Sequence, residues 1–168
     1  MLDSKLEQAI NKQINHEYTA AFHYLAMAAY FETQNLGGFA SWMMVQHQEE
    51  LDHAQRLFRY LLDRGGRVEL EAIPKPQSEF KSVHAVFGRA LELEKQNTRA
   101  INQLYRLAEE LEDYPTKSHL QWFIDEQVEE EKTFDEAKGL LEWAGDDKGA
   151  LLILNDKLGQ RSAEPGSK

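Results

Sequence analysis

Four stretches of the sequence place metal-favouring side chains in the middle of an otherwise apolar heptad pattern. The polar residues lie three, four or seven positions from the apolar ones, so both kinds share one helix face. They are Glu17 and Tyr24 on the first stretch, Glu50 and His53 on the second, Glu94 on the third, and Gln127 and Glu130 on the fourth. Because these faces pack against each other in a helical protein, the sequence predicts a layer of acids inside a core.

Several carboxylates in one core need a compensating cation, because each buried charge is costly unless it is paired or binds a metal. The four apolar faces carry no matching set of Lys or Arg. A multivalent metal is the simplest explanation, and carboxylates with a single imidazole suit iron, with manganese and zinc as competitors. Glu50 and His53 also form a Glu-x-x-His pattern, which helical bundles use to hold dinuclear metal sites. The alternative is a purely structural bundle whose acids face solvent.

The periodicity predicts four long helices and a short fifth one, with capping residues, glycines and prolines marking their ends. The predicted helices run from about Ser4, as the N-cap, to Thr33, from Phe39 to Arg64, from the cap Ser82 to Glu112, and from Pro115 to near Gly145, with the fifth after Asp146 and Asp147.

Connection lengths predict how these helices are arranged. The connections near Leu36 and Tyr114 are short, so the first two helices form one antiparallel hairpin and the next two another. Residues 66–81 form a 16-residue segment that reaches roughly 50 Å when extended, whereas the second helix is about 40 Å long. The segment can therefore cross the bundle, so we expect an all-α four-helix bundle with one long crossover. Glu50 and Glu94 then lie at the same depth on parallel helices.

Length and charge restrict the function further. The chain has 168 residues, enough for one domain over residues 1–161, and residues 162–168 are predicted to form a disordered tail. A net charge of −10 without a basic cluster argues against nucleic-acid binding. The absence of cysteine excludes thiolate metal sites. No segment resembles a membrane span or an export signal, which predicts a cytoplasmic location.

The four stretches contain the motifs Asn15-His16-Glu17-Tyr18, Glu49-Glu50-Leu51-Asp52-His53, the single Glu94, and Glu126-Gln127-Val128-Glu129-Glu130-Glu131. Together they resemble those of the non-haem bacterial ferritins, and the resemblance covers all of the chain except the tail. It implies a ferritin-like fold in which Glu17, Glu50 and His53 hold one iron, with Glu50 bridging. Glu94 and Glu130 hold the second.

The resemblance also implies roles for residues around this pair of irons. Gln127 hydrogen-bonds the oxygen species, and Tyr24 lies close enough to donate an electron or a hydrogen bond. Glu49, Glu126 and Glu129 stand beside the core face, where the corresponding residues of similar ferritins bind a third iron. A solvated acidic helix face is the alternative for these three glutamates.

Two departures from related families refine this reading. Bacterioferritins carry a haem-binding Met directly after the second helix's glutamate, whereas this chain has Leu51, so no haem is predicted. Bacterioferritins and rubrerythrins also use a second Glu-x-x-His, where this chain has Gln127 and Glu130. We therefore expect the second iron to be held loosely and to exchange readily.

The resemblance implies an iron-storage ferroxidase that oxidises Fe(II) with O2 or H2O2 and mineralises it inside a homo-oligomeric cage of 24 subunits. A short fifth helix fits such a cage. A second apolar stripe on the first helix also suggests contact with another subunit; it comprises Tyr18, Phe22, Leu25 and Ala29. The alternative is a non-storing diiron oxidase or peroxidase of small oligomeric state.

Overall fold

The computed structural model describes residues 2–162, and the predicted tail falls outside this range except for residue 162. The described chain forms five helices and no strand. The helices are α1 (Ser4–Thr33), α2 (Gly37–Asp63), α3 (Val83–Glu110), α4 (Tyr114–Ala144) and α5 (Lys148–Leu158). The predicted fold class, an all-α four-helix bundle with a short fifth helix, is confirmed.

Side-chain caps begin most of these helices, largely as predicted. Ser82 accepts a hydrogen bond from a backbone amide of α3, and Asp113 and Asp147 cap α4 and α5 in the same way. The prediction for α1 was off by one residue, because Asp3 is its cap and Ser4 is already helical. A carboxylate accepts the amide hydrogen bond and also complements the positive end of the helix dipole.

The first hairpin turns more tightly than the sequence suggested. Asn35 adopts a left-handed backbone with φ of 56°, which ends α1 without a glycine. As a result α2 begins at Gly37, directly after Leu36, and not at Phe39.

Contacts at the helix ends show that α2 and α3 run parallel. The rings of Phe39 and Trp42, early in α2, lie close to the ring of Phe87, early in α3, with centroid distances of 5.6 and 5.1 Å. At the other end Arg64, just after α2, pairs at 2.8 Å with Asp113, just before α4. The crossover topology that the connection lengths predicted is therefore present.

The first part of the crossover is held against α1 by two asparagines that lie one helical turn apart. Asn11 donates to the carbonyl of Arg67 and accepts from the amide of Glu69, both at 2.8 Å. Asn15 donates to the carbonyl of Glu69 at 2.9 Å and accepts from the amide of Glu71 at 2.8 Å. These bonds satisfy backbone groups that would otherwise lack partners in an extended segment.

Two apolar clusters fill the bundle, one at each end. One contains Leu6, Ile10, Ile14, Leu57, Leu61, Ile101, Leu104, Ala108, Leu120 and Phe123. The other includes Met27, Phe31, Phe39, Trp42, Phe87, Phe134 and Leu141. Buried polar residues near the middle of each long helix separate the clusters. The predicted acidic layer thus lies inside the core.

The fifth helix docks beside the start of α2. The side chain of Asn155 accepts a hydrogen bond from the amide of Phe39 at 3.0 Å. Gly38 makes this approach possible, because a Cβ there would lie 1.8 Å from the carbonyl oxygen of Asn155. The docking directs the chain after α5 back toward the middle of the bundle.

In the range 2–162, no helix has the length and apolar character needed to cross a membrane.

Candidate metal centre

Glu50 lies fully buried at the centre of the acidic layer. Within the described part of the chain, no hydrogen-bond donor reaches either of its carboxylate oxygens. Burial raises the pKa of Glu50 well above its ordinary value, and repulsion from Glu94 and Glu17 raises it further. A buried carboxylate without donors is the state expected of a group whose partner is a cation.

Three side chains of the layer meet closely enough to share one ion. Glu17, Glu50 and His53 each offer a ligand atom, and these atoms lie within 4.8 Å of one another. His53 points its Nδ1 at Glu50, 3.5 Å from one carboxylate oxygen, and no described residue hydrogen-bonds this nitrogen. The set matches the three residues predicted for the first iron.

Glu17 is held in place by two amides. Gln13 donates to one of its oxygens at 2.7 Å and Asn97 donates to the other at 3.1 Å. Gln13 also donates to the side-chain oxygen of Asn97 at 2.7 Å, which links α1 to α3 behind the carboxylate. Such supporting hydrogen bonds orient a ligand before metal arrives.

Glu94 is held by two predicted site residues. The Tyr24 hydroxyl donates to one carboxylate oxygen, and the Gln127 amide donates to the other at 3.3 Å. Burial raises the pKa of Glu94 to about 7, although the hydrogen bonds from Tyr24 and Gln127 act to lower it. Both residues therefore stabilise the charged carboxylate, which is the form that binds a metal.

Glu130 completes the layer from α4. Burial raises its pKa to about 8, repulsion from Glu94 and Glu49 adds to the rise, and the positive charge of Arg161 opposes it. Gln46 donates to one oxygen of Glu130 at 3.0 Å.

The three flanking glutamates differ in their burial and in their contacts. Glu126 lies half-buried with ligand atoms of His53 and Glu130 within 4.8 Å, a second set that could hold an ion. Glu49 is mostly buried and pairs with Arg161 at 2.9 Å, and Glu129 is exposed. Glu126 therefore lies closer to the central layer than the flanking position that the sequence predicted for it.

Aromatic rings surround the layer. His53 packs edge-on against Trp122 and Phe123, with ring centroids 5.4 and 5.9 Å away. Tyr24 is fully buried and stacks on Phe134 at 5.8 Å. These rings exclude water, which strengthens the electrostatic interactions among the acids.

Two supporting residues were missed by the prediction. Gln13 lies four positions before Glu17 on the same helix face, a spacing that indicates contact. Arg161 hydrogen-bonds Gln46 and Glu49 from a position after α5. It lies 112 positions along the chain from Glu49, and no spacing rule connects residues so far apart.

A four-helix bundle with one crossover and a buried layer of carboxylates around one histidine defines the class of ferritin-like proteins. The sequence profile of the family described as "Ferritin-like domain" matches residues 7–142.

Comparison with known proteins identifies a family within this class. It is 41% identical to the bacterial non-heme ferritin of Staphylococcus aureus strain USA300 over 162 residues, covering 96% of this chain and 98% of that one. The ferritin of the same name from Staphylococcus haemolyticus is 42% identical over the same coverage. The solved open-pore ferritin of the archaeon Archaeoglobus fulgidus superposes with a TM-score of 0.95 at 42% identity, over 96% of this chain and 99% of that one. The chain belongs to the ferritin family.

Proposed function

We propose that this protein is an iron-storage ferritin that oxidises Fe(II) to Fe(III), with O2 or H2O2 as oxidant, at a site within each subunit. The observation that carries the proposal is Glu50, a fully buried carboxylate with no donor to either oxygen among residues 2–162. Three more buried carboxylates lie at the same level on the other long helices. Two divalent cations would convert this costly arrangement into a favourable one.

Each ligand has a role that follows from its position. Glu17, Glu50 and His53 hold the first Fe(II), and Glu94 and Glu130 hold the second. Glu50 bridges the two, because it is the carboxylate whose charge is repelled by both Glu94 and Glu17. Glu94 and Glu130 release their protons as metal binds, since their pKa values of about 7 and 8 leave them partly protonated at neutral pH.

Tyr24 and Gln127 act beside the second iron. The Tyr24 hydroxyl, bonded to Glu94, stands ready to supply a hydrogen bond or an electron during oxidation. The Gln127 amide donates to Glu94 and to Thr98. Because Gln127 offers an amide, which binds metal weakly, where a Glu-x-x-His motif offers a carboxylate, Fe(III) leaves this position readily and passes on to the mineral.

The flanking glutamates form a third iron position on the way out of the site. Glu126 has its ligand atom within 4.8 Å of those of His53 and Glu130. Glu49 lies near Glu130 and repels it. The exposed Glu129 joins them from α4. No haem enters this scheme, because Leu51 offers no axial ligand.

The storage half of the proposal requires a closed assembly, which we propose to be a 24-subunit cage in the cytoplasm. The single chain leaves apolar side chains uncovered on α1, notably Phe22 and Leu25, and on α5, notably Leu152 and Ile153. Exposed apolar faces on two separate elements favour burial between subunits.

Oxidation of Fe(II) in air tests the site. Metal-free protein should oxidise two Fe(II) per chain rapidly, and Glu50→Ala or His53→Ala should slow this phase at least about tenfold. Glu136→Ala, which changes an exposed glutamate on α4, serves as the control and should oxidise like the wild type. Unchanged rates in both site variants would refute the proposed site.

Particle size separates storage from the alternative. A diiron oxidase or peroxidase of small oligomeric state shares the site but has no cavity to fill. Light scattering of the protein at micromolar concentration should give the mass of 24 chains of 19.4 kDa. The mass of a dimer or a monomer would refute the storage proposal but would leave the proposed oxidation chemistry untouched.

A further inference from the structure

Arg161 brings a positive charge from the C-terminal segment to the edge of the acidic layer. One guanidinium nitrogen donates to the side-chain oxygen of Gln46 and the other to Glu49 at 2.9 Å. The guanidinium also lies over the ring of Trp42, 4.8 Å from its centroid. The side chains of Arg161 and Glu49 are only 22% and 13% exposed, so water screens this pair incompletely.

The position of Arg161 is fixed by the fold. The backbones of Gly38 and Asn155 pack against each other where α5 meets α2, and Gly159 touches Gly38 at the same place. The chain leaves this contact only two residues before Arg161. The guanidinium is therefore tethered to the site and needs no separate ligand to deliver it.

Arg161 also acts on the second iron position through a chain of hydrogen bonds. It donates to the oxygen of Gln46, whose nitrogen donates to Glu130 at 3.0 Å. When the guanidinium is seated, Gln46 has its acceptor engaged and its donor directed at Glu130. One cation thus contacts Glu49 directly and Glu130 through one amide.

We propose that Arg161 is a built-in competitor for metal at Glu49, so that the third iron position fills only when the guanidinium withdraws. The inference rests on the proposed function, since it takes Glu49 as a metal ligand. The guanidinium and a metal ion would use the same carboxylate oxygen, Oε2 of Glu49, and two cations placed together there would repel each other. The C-terminal segment thereby controls how long iron stays at the third position.

Isothermal titration calorimetry of the assembled, metal-free protein with Zn²⁺ tests this competition. Zn²⁺ is suitable because it binds carboxylate and histidine ligands but is not oxidised. Arg161→Gln should tighten the third, weakest binding event by about tenfold or more, the effect of losing one charge-assisted hydrogen bond. Arg161→Lys should stay close to the wild type because it keeps the charge. Lys157→Gln, which removes an exposed charge from α5, should leave all three binding events unchanged.

The first two Zn²⁺ ions per chain provide the internal reference. The affinity of the first, at Glu17, Glu50 and His53, should be the same in the wild type and in Arg161→Gln, and should fall in Glu50→Ala. The affinity of the second should change less than that of the third, because Arg161 reaches Glu130 only through Gln46. If the third event is unchanged or weaker in Arg161→Gln while the first two are intact, the competition is refuted and the proposed function stands. If the wild type lacks the first two events, both ideas fail.

A double variant shows whether the effect passes through Glu49. In a Glu49→Gln background, the further change Arg161→Gln should alter the third binding event less than twofold. An equally large gain in that background would mean that Arg161 acts only as a distant charge, which would overturn the competition.

Discussion

At Glu50, burial opposes charge with no hydrogen-bond donor from the described residues to either carboxylate oxygen. The neighbouring acids have supporting donors, namely Gln13 and Asn97 for Glu17, and Tyr24 for Glu94. Among the described residues Glu50 has no such donor, so in the proposed site its charge is compensated by the metal ions alone. Replacement of Glu50 should therefore abolish metal binding at the first position. It should nevertheless stabilise the metal-free protein, because the variant no longer buries a carboxylate.

The raised pKa values of Glu94 and Glu130 predict how the metal-free protein responds to pH. Their carboxyls ionise near 4.5 when unfolded but at about 7 and about 8 when folded. Between these values the folded chain binds more protons than the unfolded chain, so its free energy of unfolding falls as pH rises from about 5 to 8. We expect a loss of about 6 kcal/mol for the two groups together, measured by urea unfolding in the presence of a chelator.

Two comparisons check this pH dependence. Glu94→Gln should flatten the slope, since the glutamine carries no proton to lose. Saturating Zn²⁺ should reverse it, because metal binding becomes stronger as the ligands deprotonate. Stability that rises with pH in the chelated wild type would contradict the assignment of these two groups.

Tyr24→Phe tests the hydrogen bond to Glu94 without disturbing the core. The phenyl ring keeps the stack on Phe134, so the fold should survive. Removal of the hydroxyl removes a donor that lowers the pKa of Glu94, so that pKa should rise. The midpoint of the pH dependence of Zn²⁺ binding at the second position should move upward by about half a unit to one unit. Phe134→Leu, which alters the stack but keeps the hydroxyl, should leave the midpoint in place.

Much of the candidate metal centre was predictable at the residue scale because the proposed ligands must share the packing face of each helix. Glu17, Glu50, His53 and Glu94 were found by that rule alone, and the structure brings them together. Arg161 was not predictable, because its place depends on how α5 docks. That docking rests on backbone contact at a glycine, which leaves no periodic pattern in the sequence.

Among the contacts between helices, several involve one residue in the connection between α3 and α4. Asp113 caps α4 through the amide of Thr116 at 3.0 Å and pairs with Arg64 on two atoms at 2.8 Å. The hydrogen bonds from the Arg64 guanidinium hold the pKa of Asp113 well below its usual range. This residue joins the end of α2 to the start of α4.

Replacement of Asp113 should therefore destabilise the bundle. Asp113→Ala loses both cap and ion pair, at about 2–4 kcal/mol by urea unfolding, while Asp113→Asn keeps a capping oxygen and should lose about half as much. Because the folded pKa is depressed, the ion pair stabilises the protein above the unfolded pKa near 3.8. This contribution disappears as pH falls through the folded value. An Asp113→Asn variant as stable as the wild type at pH 7 would show that the ion pair contributes nothing.

The crossover shows what connection length can and cannot predict. Its 16 residues were enough to predict the direction of α3, because a chain of that reach can span the bundle. Its attachment to α1 through Asn11 and Asn15 was not predicted. Asparagines on a helix surface carry no signal that they bond a distant backbone, and only the folded chain pairs them.

For the whole molecule, the proposed site and the proposed cage are separable, because every proposed ligand comes from one chain. The apolar stripe on α1 is exposed in that chain, with Leu25 at its centre. Leu25→Glu would place a charge where a neighbouring subunit is proposed to pack, at a cost repeated at every copy of the contact. We expect size-exclusion chromatography to show small oligomers. Each should still bind two Zn²⁺ per chain and oxidise Fe(II), but the Fe(III) product should precipitate instead of staying in solution.

Leu25→Met conserves volume and polarity and should assemble like the wild type. A Leu25→Glu protein that still forms the full cage would show that this face of α1 lies outside the subunit contacts.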